Sequence, residues 1–327
     1  MKHDRDWQYT MSVSVLIPTY NRADLLPETI DSILAQTRPP DEIIVVDDGS
    51  TDNTQDIVPR LYPKIKYHRI PNSRVSRARN IAASFATSQY LALCDSDDLW
   101  RSDKLEKQMD LHRRFPSLEC SFTNFSIVTD GVWSGRTKFD NAPEDFFARC
   151  ESRLPFAKVC NASLYDELLI FQPIFPSTQM MTKDFFHKVG GYNEAFGANP
   201  SEDFEFTLRC VQHPPIGIIT EPVVGIRKHT SNFSGNALTA TCGEIEILNY
   251  ALANHAITDS TKNILLDQIA LRSVSASYSA FRNARFAACK ALLSNVPKRY
   301  LTPKLRLKYL ISSAPESVAR LVQRLLN

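Results

Sequence analysis

Short apolar runs alternate with amphipathic stretches along the first 125 residues of the chain. The runs have the length and residue types of buried strands and lie at residues 12–18, 42–46, 65–70 and 90–94. The stretches between them, at residues 25–36 and 76–86, carry apolar positions at helical spacing. This alternation is typical of βαβ units, whose strands are parallel. We therefore predict an α/β fold with a parallel, doubly wound central sheet flanked by helices.

The pattern is less regular after residue 100. A helix is predicted over residues 102–115 and a strand over residues 120–128, but the segment that follows, up to residue 171, has no clear period. A strand, a short helix and a stop at two glycines are predicted over residues 180–192, and a further helix over residues 202–211. The aperiodic segment is long for a loop inside a domain, and such segments are usually functional or contain elements that the pattern does not reveal.

Beyond about residue 240 the pattern is predominantly helical. A chain of 327 residues is long enough for one large domain and an appendage. We predict an extension at residues 1–11, a domain at residues 12–240 and a helical C-terminal region at residues 241–327. Within the domain, residues 12–125 form one half and residues 126–240 the other.

Polar residues follow three of the predicted strands at their carboxyl ends. They are Pro18-Thr19-Tyr20-Asn21, Asp47-Asp48 and Asp95-Ser96-Asp97-Asp98. Open parallel sheets bind ligands beyond the carboxyl ends of their strands, so we expect these clusters to meet at one edge. Taken alone, Asp47-Asp48 is also compatible with a structural turn, and Tyr20 with packing rather than stacking on a base.

The acidic cluster at residues 95–98 directly follows a buried strand. Carboxylates this close repel one another, and a hard divalent cation would neutralise them. Mg²⁺ and Mn²⁺ usually share their ligand shell between one or two carboxylates, water and phosphate oxygens, so a nucleoside diphosphate fits the arrangement. The alternative is a solvated acidic turn before the helix that is predicted from residue 102.

The net charge of +2 conceals an uneven distribution. Residues 281–327 contain ten Lys or Arg and one acid, Glu316, which leaves 28 basic and 35 acidic residues before them. The tail also has an amphipathic pattern, with an apolar stripe at Val318, Leu321, Val322 and Leu325 and with Arg320 and Arg324 off that stripe. An anionic membrane surface and packing against the domain both explain this pattern. Nucleic acid is a weaker candidate, because no binding motif accompanies the charge.

The seven cysteines are scattered, odd in number and never spaced as Cys-x-x-Cys. This pattern argues against a disulfide framework and a zinc site, so we expect reduced thiols. The sequence shows no apolar leader at its start and no run of about 20 apolar residues. We therefore expect a cytoplasmic protein, attached at most peripherally to the inner face of the plasma membrane.

Seven motifs stand in order along the chain and together resemble glycosyltransferase family 2. The first four are residues 13–22 (VSVLIPTYNR), 44–52 (IVVDDGSTD), 78–82 (ARNIA) and 93–98 (LCDSDD). The other three are residues 189–193 (VGGYN), 201–206 (SEDFEF) and 227–229 (RKH), so that the resemblance covers roughly residues 12–235.

The resemblance implies a GT-A fold, which is an α/β fold with a mixed, mostly parallel central sheet flanked by helices. It also implies a site for a nucleotide-diphosphate sugar, most often a UDP-sugar. In such a site Thr19, Tyr20 and Asp48 would hold the base, Arg79 would lie near the phosphates and Asp95 would face the ribose. The residues expected to bind the nucleotide sugar are Pro18, Thr19, Tyr20, Asn21, Arg22, Asp48, Arg79, Asp95 and Ser96. Asp97 would bind Mn²⁺ or Mg²⁺ with Asp98 structural, and His229 would approach the metal, although a lone histidine is as often a surface or core residue.

Asp203 matches the family's catalytic carboxylate, with Glu202 beside it. An acceptor hydroxyl is a weak nucleophile and needs a base that takes its proton, while the metal stabilises the departing diphosphate. The resemblance thus implies an inverting transfer of sugar to a glycan or lipid-linked acceptor in cell-surface polysaccharide synthesis, with part of the acceptor site in the aperiodic segment. An acidic first turn favoured by the helix dipole is the structural alternative.

One position departs from the family pattern. Relatives usually have a glycine shortly before the ARNIA motif, whereas this chain has Arg74 within the segment Pro71–Arg77. The geometry of this loop is therefore open, and Arg74 either reaches a phosphate or is merely exposed.

Three other functions compete with the transferase hypothesis. A sugar-phosphate nucleotidyltransferase has a Gly-rich, basic phosphate loop after its first strand, which residues 18–22 lack. A dinucleotide-binding oxidoreductase needs Gly-x-Gly-x-x-Gly, which is also missing. A non-catalytic nucleotide-sugar-binding or scaffold protein would have no need of Asp97, Asp203 and His229 together.

Overall fold

The computed structural model describes residues 11–229 and 237–326, so all but the last residue of the predicted extension at 1–11 lies outside the described part. The chain divides into two compact units near residue 230, with residues 199–201 counted in the second unit. The sequence places this boundary at residue 240. The first unit is an α/β domain and the second is helical, and each is described by itself.

The first half of the α/β domain contains four parallel strands in the order β3-β2-β1-β4. The strands are β1 (Val13–Thr19), β2 (Glu42–Asp47), β3 (Lys66–Arg69) and β4 (Tyr90–Leu93), and the helices between them are α1 (Leu26–Leu34), α2 (Thr54–Leu61) and α3 (Val75–Phe85). Every residue of β1 and of β4 is buried, as expected of parallel strands that are covered on both faces. The predicted βαβ pattern is confirmed.

The sheet continues as β10-β6-β11-β9-β8, and β10 is antiparallel to both β4 and β6. Its strands are β5 (Leu99–Trp100), β6 (Cys120–Thr129), β7 (Val132–Thr137), β8 (Cys150–Leu154), β9 (Ala157–Cys160), β10 (Met180–Thr182) and β11 (Ile216–Lys228). Its helices are α4 (Lys104–Arg114), α5 (Tyr165–Ile170), α6 (Lys183–Lys188) and α7 (Glu202–Cys210). The mixed, mostly parallel sheet with flanking helices is therefore confirmed. The strands β7, β8 and β9 and the helix α5 fill the segment that has no period in the sequence.

Strand β11 is irregular, which explains why its sequence gives no clean alternation. Ile219 pairs with Thr123 and Val224 pairs with Phe125, so β11 advances five residues where β6 advances two. Such a bulge accommodates Pro222, which has no amide hydrogen to give to a ladder. The buried Asn124 on β6 donates from Nδ2 to the carbonyl of Thr220 at 3.0 Å and so satisfies the bulged backbone.

The hairpin of β8 and β9 contradicts one expectation from the sequence. Cys150 and Cys160 are directly paired across the two strands, with 4.1 Å between their Cα atoms, and they form a disulfide. The expectation of reduced thiols fails at these two positions, because pairing across a hairpin is invisible in sequence spacing. Cys94, Cys120, Cys210, Cys242 and Cys289 are free thiols.

The second unit consists of α8 (Ala237–Asn254), α9 (Asp259–Arg282), α10 (Phe286–Ser294), α11 (Pro303–Ser313) and α12 (Glu316–Leu326). Its apolar core includes Phe281, Phe286, Cys289, Leu293 and Leu305. The predominantly helical C-terminal region predicted from the sequence is confirmed. None of the helices within residues 11–229 and 237–326 combines the length and hydrophobicity needed to cross a membrane.

The loop before α3 shows how the chain manages without the family's usual glycine. Arg74 has φ +78° and ψ 160°, a conformation that is essentially restricted to glycine. Asp48, just after β2, accepts hydrogen bonds from the backbone N–H groups of Ser73 at 2.6 Å and Arg74 at 2.8 Å. These hydrogen bonds keep the backbone of Arg74 in a conformation that is usually adopted by glycine.

We predict that Arg74→Gly stabilises the protein by about 1 kcal/mol, because it releases about 1–3 kcal/mol of backbone strain at an entropic cost of about 0.5–1 kcal/mol. Arg77→Gly is the matched control, since Arg77 is an exposed arginine inside α3; it should destabilise by up to about 1 kcal/mol. Urea denaturation monitored by circular dichroism measures both. Equal destabilisation by the two glycines would refute the assignment of strain to Arg74.

Candidate functional site

The carboxyl ends of β1, β2 and β4 lie side by side, as the sequence predicts. β1 pairs in parallel with β2 on one side and with β4 on the other. The backbone N–H of Asp48 donates to the carbonyl of Thr19 at 2.8 Å, and that of Cys94 donates to Leu16 at 3.0 Å. The polar residues that follow these three strands therefore occupy one edge of the sheet.

The segment after β1 combines buried and exposed groups. Pro18 and Thr19 are buried, and the Thr19 hydroxyl has no hydrogen-bond partner within the described residues. Tyr20 is 45% exposed, so its ring is available for stacking. Asn21 has a left-handed backbone, and its Oδ1 accepts from the Thr51 N–H at 2.7 Å. Asn21 thus ties the end of β1 to the turn after β2, while the exposed ring of Tyr20 remains for a ligand.

Asp48 is 4% exposed and engaged by the loop before α3. In addition to the two backbone N–H groups, its Oδ1 accepts from the Ser73 hydroxyl at 3.0 Å. In this structure Asp48 shapes the rim of the site through that loop. Its contact with a base edge stays a prediction.

Asp97 lies between a guanidinium and an imidazole. Its Oδ2 is 3.3 Å from Arg22 Nε and 3.0 Å from His229 Nε2. A carboxylate beside an imidazole suits Mn²⁺, which accepts both ligand types. Within residues 11–229 and 237–326 no group of three or more His, Cys, Asp or Glu side chains is arranged to hold a metal. Asp97 and His229 would therefore supply only part of a coordination shell.

Asp98 is buried and bonded on both oxygens. Its Oδ2 accepts from the Ser177 hydroxyl at 2.5 Å, and its Oδ1 accepts from the backbone N–H of Arg227 at 3.2 Å. Burial, followed by the negative charges of Asp97 and Asp95, raises the pKa of Asp98 well above its ordinary value. Sequence reasoning missed Ser177, which also accepts the N–H of Asp95 at 2.9 Å; it lies in a region without a motif.

Arg227 is a second residue whose part sequence reasoning missed. Its guanidinium is 7% exposed and donates to the backbone carbonyl of Asp97, to Glu28 and to the Thr29 hydroxyl. The Thr29 hydroxyl in turn donates to the carbonyl of Ser96 at 3.1 Å. Arg227 and Thr29 thus fix the backbone of the Asp-Ser-Asp-Asp turn. The available signal was the place of Arg227 in the RKH motif.

Arg79 on α3 is 3% exposed and joins two carboxylates. Its Nη2 donates to Asp95 at 2.7 Å, and its Nη1 donates to Glu202 at 2.6 Å. Burial alone would lower the pKa of Arg79, but Asp95, Tyr192 and Glu202 raise it well above the ordinary value. The guanidinium therefore stays charged between the acidic turn after β4 and the start of α7.

Glu202 and Asp203 begin α7, where the helix dipole favours negative charge. Glu202 is buried and paired with Arg79, whereas Asp203 remains partly exposed. Removal from water, followed by the charge of Glu202, raises the pKa of Asp203 well above its ordinary value, and Arg79 opposes this rise. A carboxylate with a raised pKa that is still reachable from solvent is a stronger base than an ordinary aspartate and is suited to accept a proton from an acceptor hydroxyl.

Comparisons with known proteins agree with this geometry. Residues 14–170 match the family model described as Glycosyl transferase family 2. Over 138 residues the chain is 43% identical to the putative teichuronic acid biosynthesis glycosyltransferase TuaG of Bacillus subtilis (strain 168); the match covers 40% of this chain and 53% of TuaG. The chain thus spans about half the length of this relative.

Solved structures show the same fold at low sequence identity. The S. aureus TarS 1-349 structure in complex with UDP-GlcNAc matches with a TM-score of 0.65 at 18% identity, over 96% of this chain and 92% of that one. The mannosyltransferase PcManGT from Pyrobaculum calidifontis, in complex with GDP-Man and Mn²⁺, matches with a TM-score of 0.55 at 20% identity, over 97% and 88%. The chain has the GT-A fold, and residues 14–170, slightly less than half of its length, match glycosyltransferase family 2.

Proposed function

We propose that the protein is an inverting glycosyltransferase that moves a sugar from a UDP-sugar to a glycan or lipid-linked acceptor in cell-surface polysaccharide synthesis. One observation carries the proposal. The α/β domain contains Asp97 in contact with His229. It also contains Asp203 beside Glu202, and Arg79 joins Asp95 to Glu202. A binding protein without chemistry would not need a carboxylate of raised pKa beside the donor-binding edge.

The donor end of the site would be formed by the strand ends. The exposed ring of Tyr20 would stack on the base. The nucleotide-binding set predicted from the sequence is retained as a proposal, except for Arg79, whose buried side chain is paired with Asp95 and Glu202. The names of two solved neighbours support a nucleotide-sugar donor, since one structure contains UDP-GlcNAc and the other GDP-Man.

Asp97 and His229 would hold Mn²⁺ or Mg²⁺, with phosphate oxygens and water completing the shell. When bound, the metal would stabilise the charge that develops on the departing diphosphate. Arg22, 3.3 Å from Asp97, adds a positive charge at the same point. The neighbour that contains GDP-Man also contains Mn²⁺, which supports this choice of metal.

Asp203 would act as the general base. Glu202 is occupied by Arg79, so of the two carboxylates Asp203 is the one with an open side. It would take the proton of the acceptor hydroxyl while that oxygen attacks the anomeric carbon opposite the diphosphate. The bond to the diphosphate breaks as the new bond forms, which inverts the anomeric centre without a covalent intermediate.

The second unit would attach the protein to an anionic membrane surface. On α12, Val318, Leu321 and Leu325 are exposed, Leu325 to 78%, whereas Val322, the fourth residue of the predicted stripe, packs partly on the core of the unit. Leu307 and Leu310 on α11 are exposed as well. Exposed lysines and arginines accompany them at Lys304, Arg306, Arg320 and Arg324.

Apolar side chains among basic ones are typical of helices that lie in a membrane interface. We place this contact at the cytoplasmic leaflet, because anionic lipids give that leaflet a negative surface potential.

Asp203→Asn should lower kcat by about 10²–10⁴-fold, which is the usual contribution of general acid–base catalysis. UDP release from UDP-GlcNAc with Mn²⁺ measures turnover, and calorimetric titration with UDP measures donor binding. The affinity for UDP should stay close to that of the unchanged protein. Normal turnover in this variant would show that Asp203 is not the base.

Asp97→Ala should weaken binding of UDP in the presence of Mn²⁺ by about tenfold or more, because one ligand of the metal is lost. In EDTA, where the metal makes no contribution, the variant and the unchanged protein should bind UDP equally. If the difference between them persists in EDTA, Asp97 acts on the nucleotide by another route than the metal.

The triple variant Val318→Ser/Leu321→Ser/Leu325→Ser should lose binding to vesicles that contain phosphatidylserine. Arg320→Gln/Arg324→Gln should bind about 30-fold more weakly, at about 1 kcal/mol for each charge. Leu34→Ser/Leu61→Ser, two exposed leucines of the α/β domain, serves as the control and should bind normally. Co-sedimentation measures all four proteins; unchanged binding of the triple variant would exclude α12 as the attachment surface.

A further inference from the structure

Three motifs that are far apart in the sequence pack as one unit in the α/β domain. Asn80 of α3 donates from Nδ2 to the carbonyl of Tyr192 at 2.9 Å and accepts the Tyr192 N–H on Oδ1 at 2.8 Å. Arg209 of α7 donates to the carbonyl of Gly191 at 2.8 Å and to that of Val189. The turn at residues 189–193 is therefore held by α3 on one side and by α7 on the other.

The turn has little freedom to move. Gly191 has φ +64°, and a Cβ at this position would lie 2.8 Å from Asn80 Oδ1. The Tyr192 ring is stacked on Phe206 of α7, with 4.2 Å between the ring centroids. The guanidinium of Arg79 lies over the same ring at 4.8 Å. The Tyr192 ring is thus held in place, and the Arg79 guanidinium packs against it.

Packed against the Tyr192 ring, the guanidinium of Arg79 is held in one orientation. Its two terminal nitrogens point to different elements, one to Asp95 after β4 and the other to Glu202 at the start of α7. A guanidinium carries its donors in a rigid planar fork, so the two bonds fix the separation of the two carboxylates. The side chain is 3% exposed, which leaves little of it open to a ligand.

We propose that Arg79 is a positioning residue, which sets the first turn of α7 against the acidic turn after β4 and thereby places Asp203 relative to the bound donor. The inference rests on the proposed function and deepens it. The contrasting possibility is that Arg79 binds the donor phosphates directly, which would make its loss a loss of donor affinity.

The two possibilities predict different effects on turnover and on donor binding. As a positioning residue, Arg79→Lys keeps the charge but cannot hold both carboxylates, so kcat should fall about tenfold or more while the Kd for UDP with Mn²⁺ changes less than about threefold. Arg79→Met/Glu202→Gln removes the buried pair together and should show the same split without leaving an unpaired charge. Arg77→Met is the control, since Arg77 is an exposed arginine of the same helix.

The pH profile gives a second readout. The groups that act electrostatically on Asp203 include Glu202 on its own helix, Arg79 on α3 and Asp95 after β4, with the uncharged Tyr192 hydroxyl nearby. Arg79 favours the ionised carboxylate, so its removal raises the pKa of Asp203. Because a base must be deprotonated to act, the acid limb of kcat against pH should move to higher pH in Arg79→Met.

The outcomes are distinct. Reduced kcat with unchanged UDP binding in both Arg79→Lys and the double variant, and normal values for Arg77→Met, support the proposal. Weaker UDP binding with kcat preserved would overturn it in favour of a phosphate contact, while the proposed function would stand. If the unchanged protein releases no nucleoside diphosphate from UDP-, GDP- or dTDP-sugars with Mn²⁺, both the proposed function and the role of Arg79 fail.

Discussion

Compensation of buried negative charge is the constraint on which the rest of the site depends. Asp98 and Glu202 are almost without solvent, and Asp95 and Asp97 lie beside them. Two buried arginines offset this charge. Arg79 pairs with two carboxylates, and Arg227 binds the backbone carbonyl of Asp97 and pairs with Glu28. Breaking a buried ion pair on one side typically costs about 3–5 kcal/mol. The acidic residues can therefore lie together at this edge only because α3 and β11 bring Arg79 and Arg227 to it.

The placement of polar residues at the strand ends could be predicted because its determinants are local in sequence. Each strand of the first half is a short apolar run, and the residues that follow it must lie at the carboxyl edge of the sheet. The sequence alone was therefore enough to place Thr19, Asp48 and Asp95 at that edge. Chain order then joined Asp203 and His229 to them through the family resemblance.

The remaining parts of the site depend on contacts between distant segments, which no local pattern encodes. Ser177 bonds to Asp98 across 79 positions, and Arg227 reaches Thr29 across 198. The pairing of Cys150 with Cys160 requires knowing that β8 and β9 form a hairpin. The sequence likewise did not show which groups Asp48 and Arg79 contact. Both side chains form hydrogen bonds within the protein, Asp48 with the loop before α3 and Arg79 with Glu202.

The number of residues in the irregular part of β11 determines where the residues after it lie in the site. Arg227 and His229 are two residues apart, so they face the same side of the strand, and both reach Asp97, one at its carbonyl and the other at its carboxylate. A strand that is one residue shorter or longer between Ile219 and Val224 would turn both side chains to the opposite face. The number of residues in this bulge therefore sets the face on which Arg227 and His229 lie, and with it their contacts with Asp97.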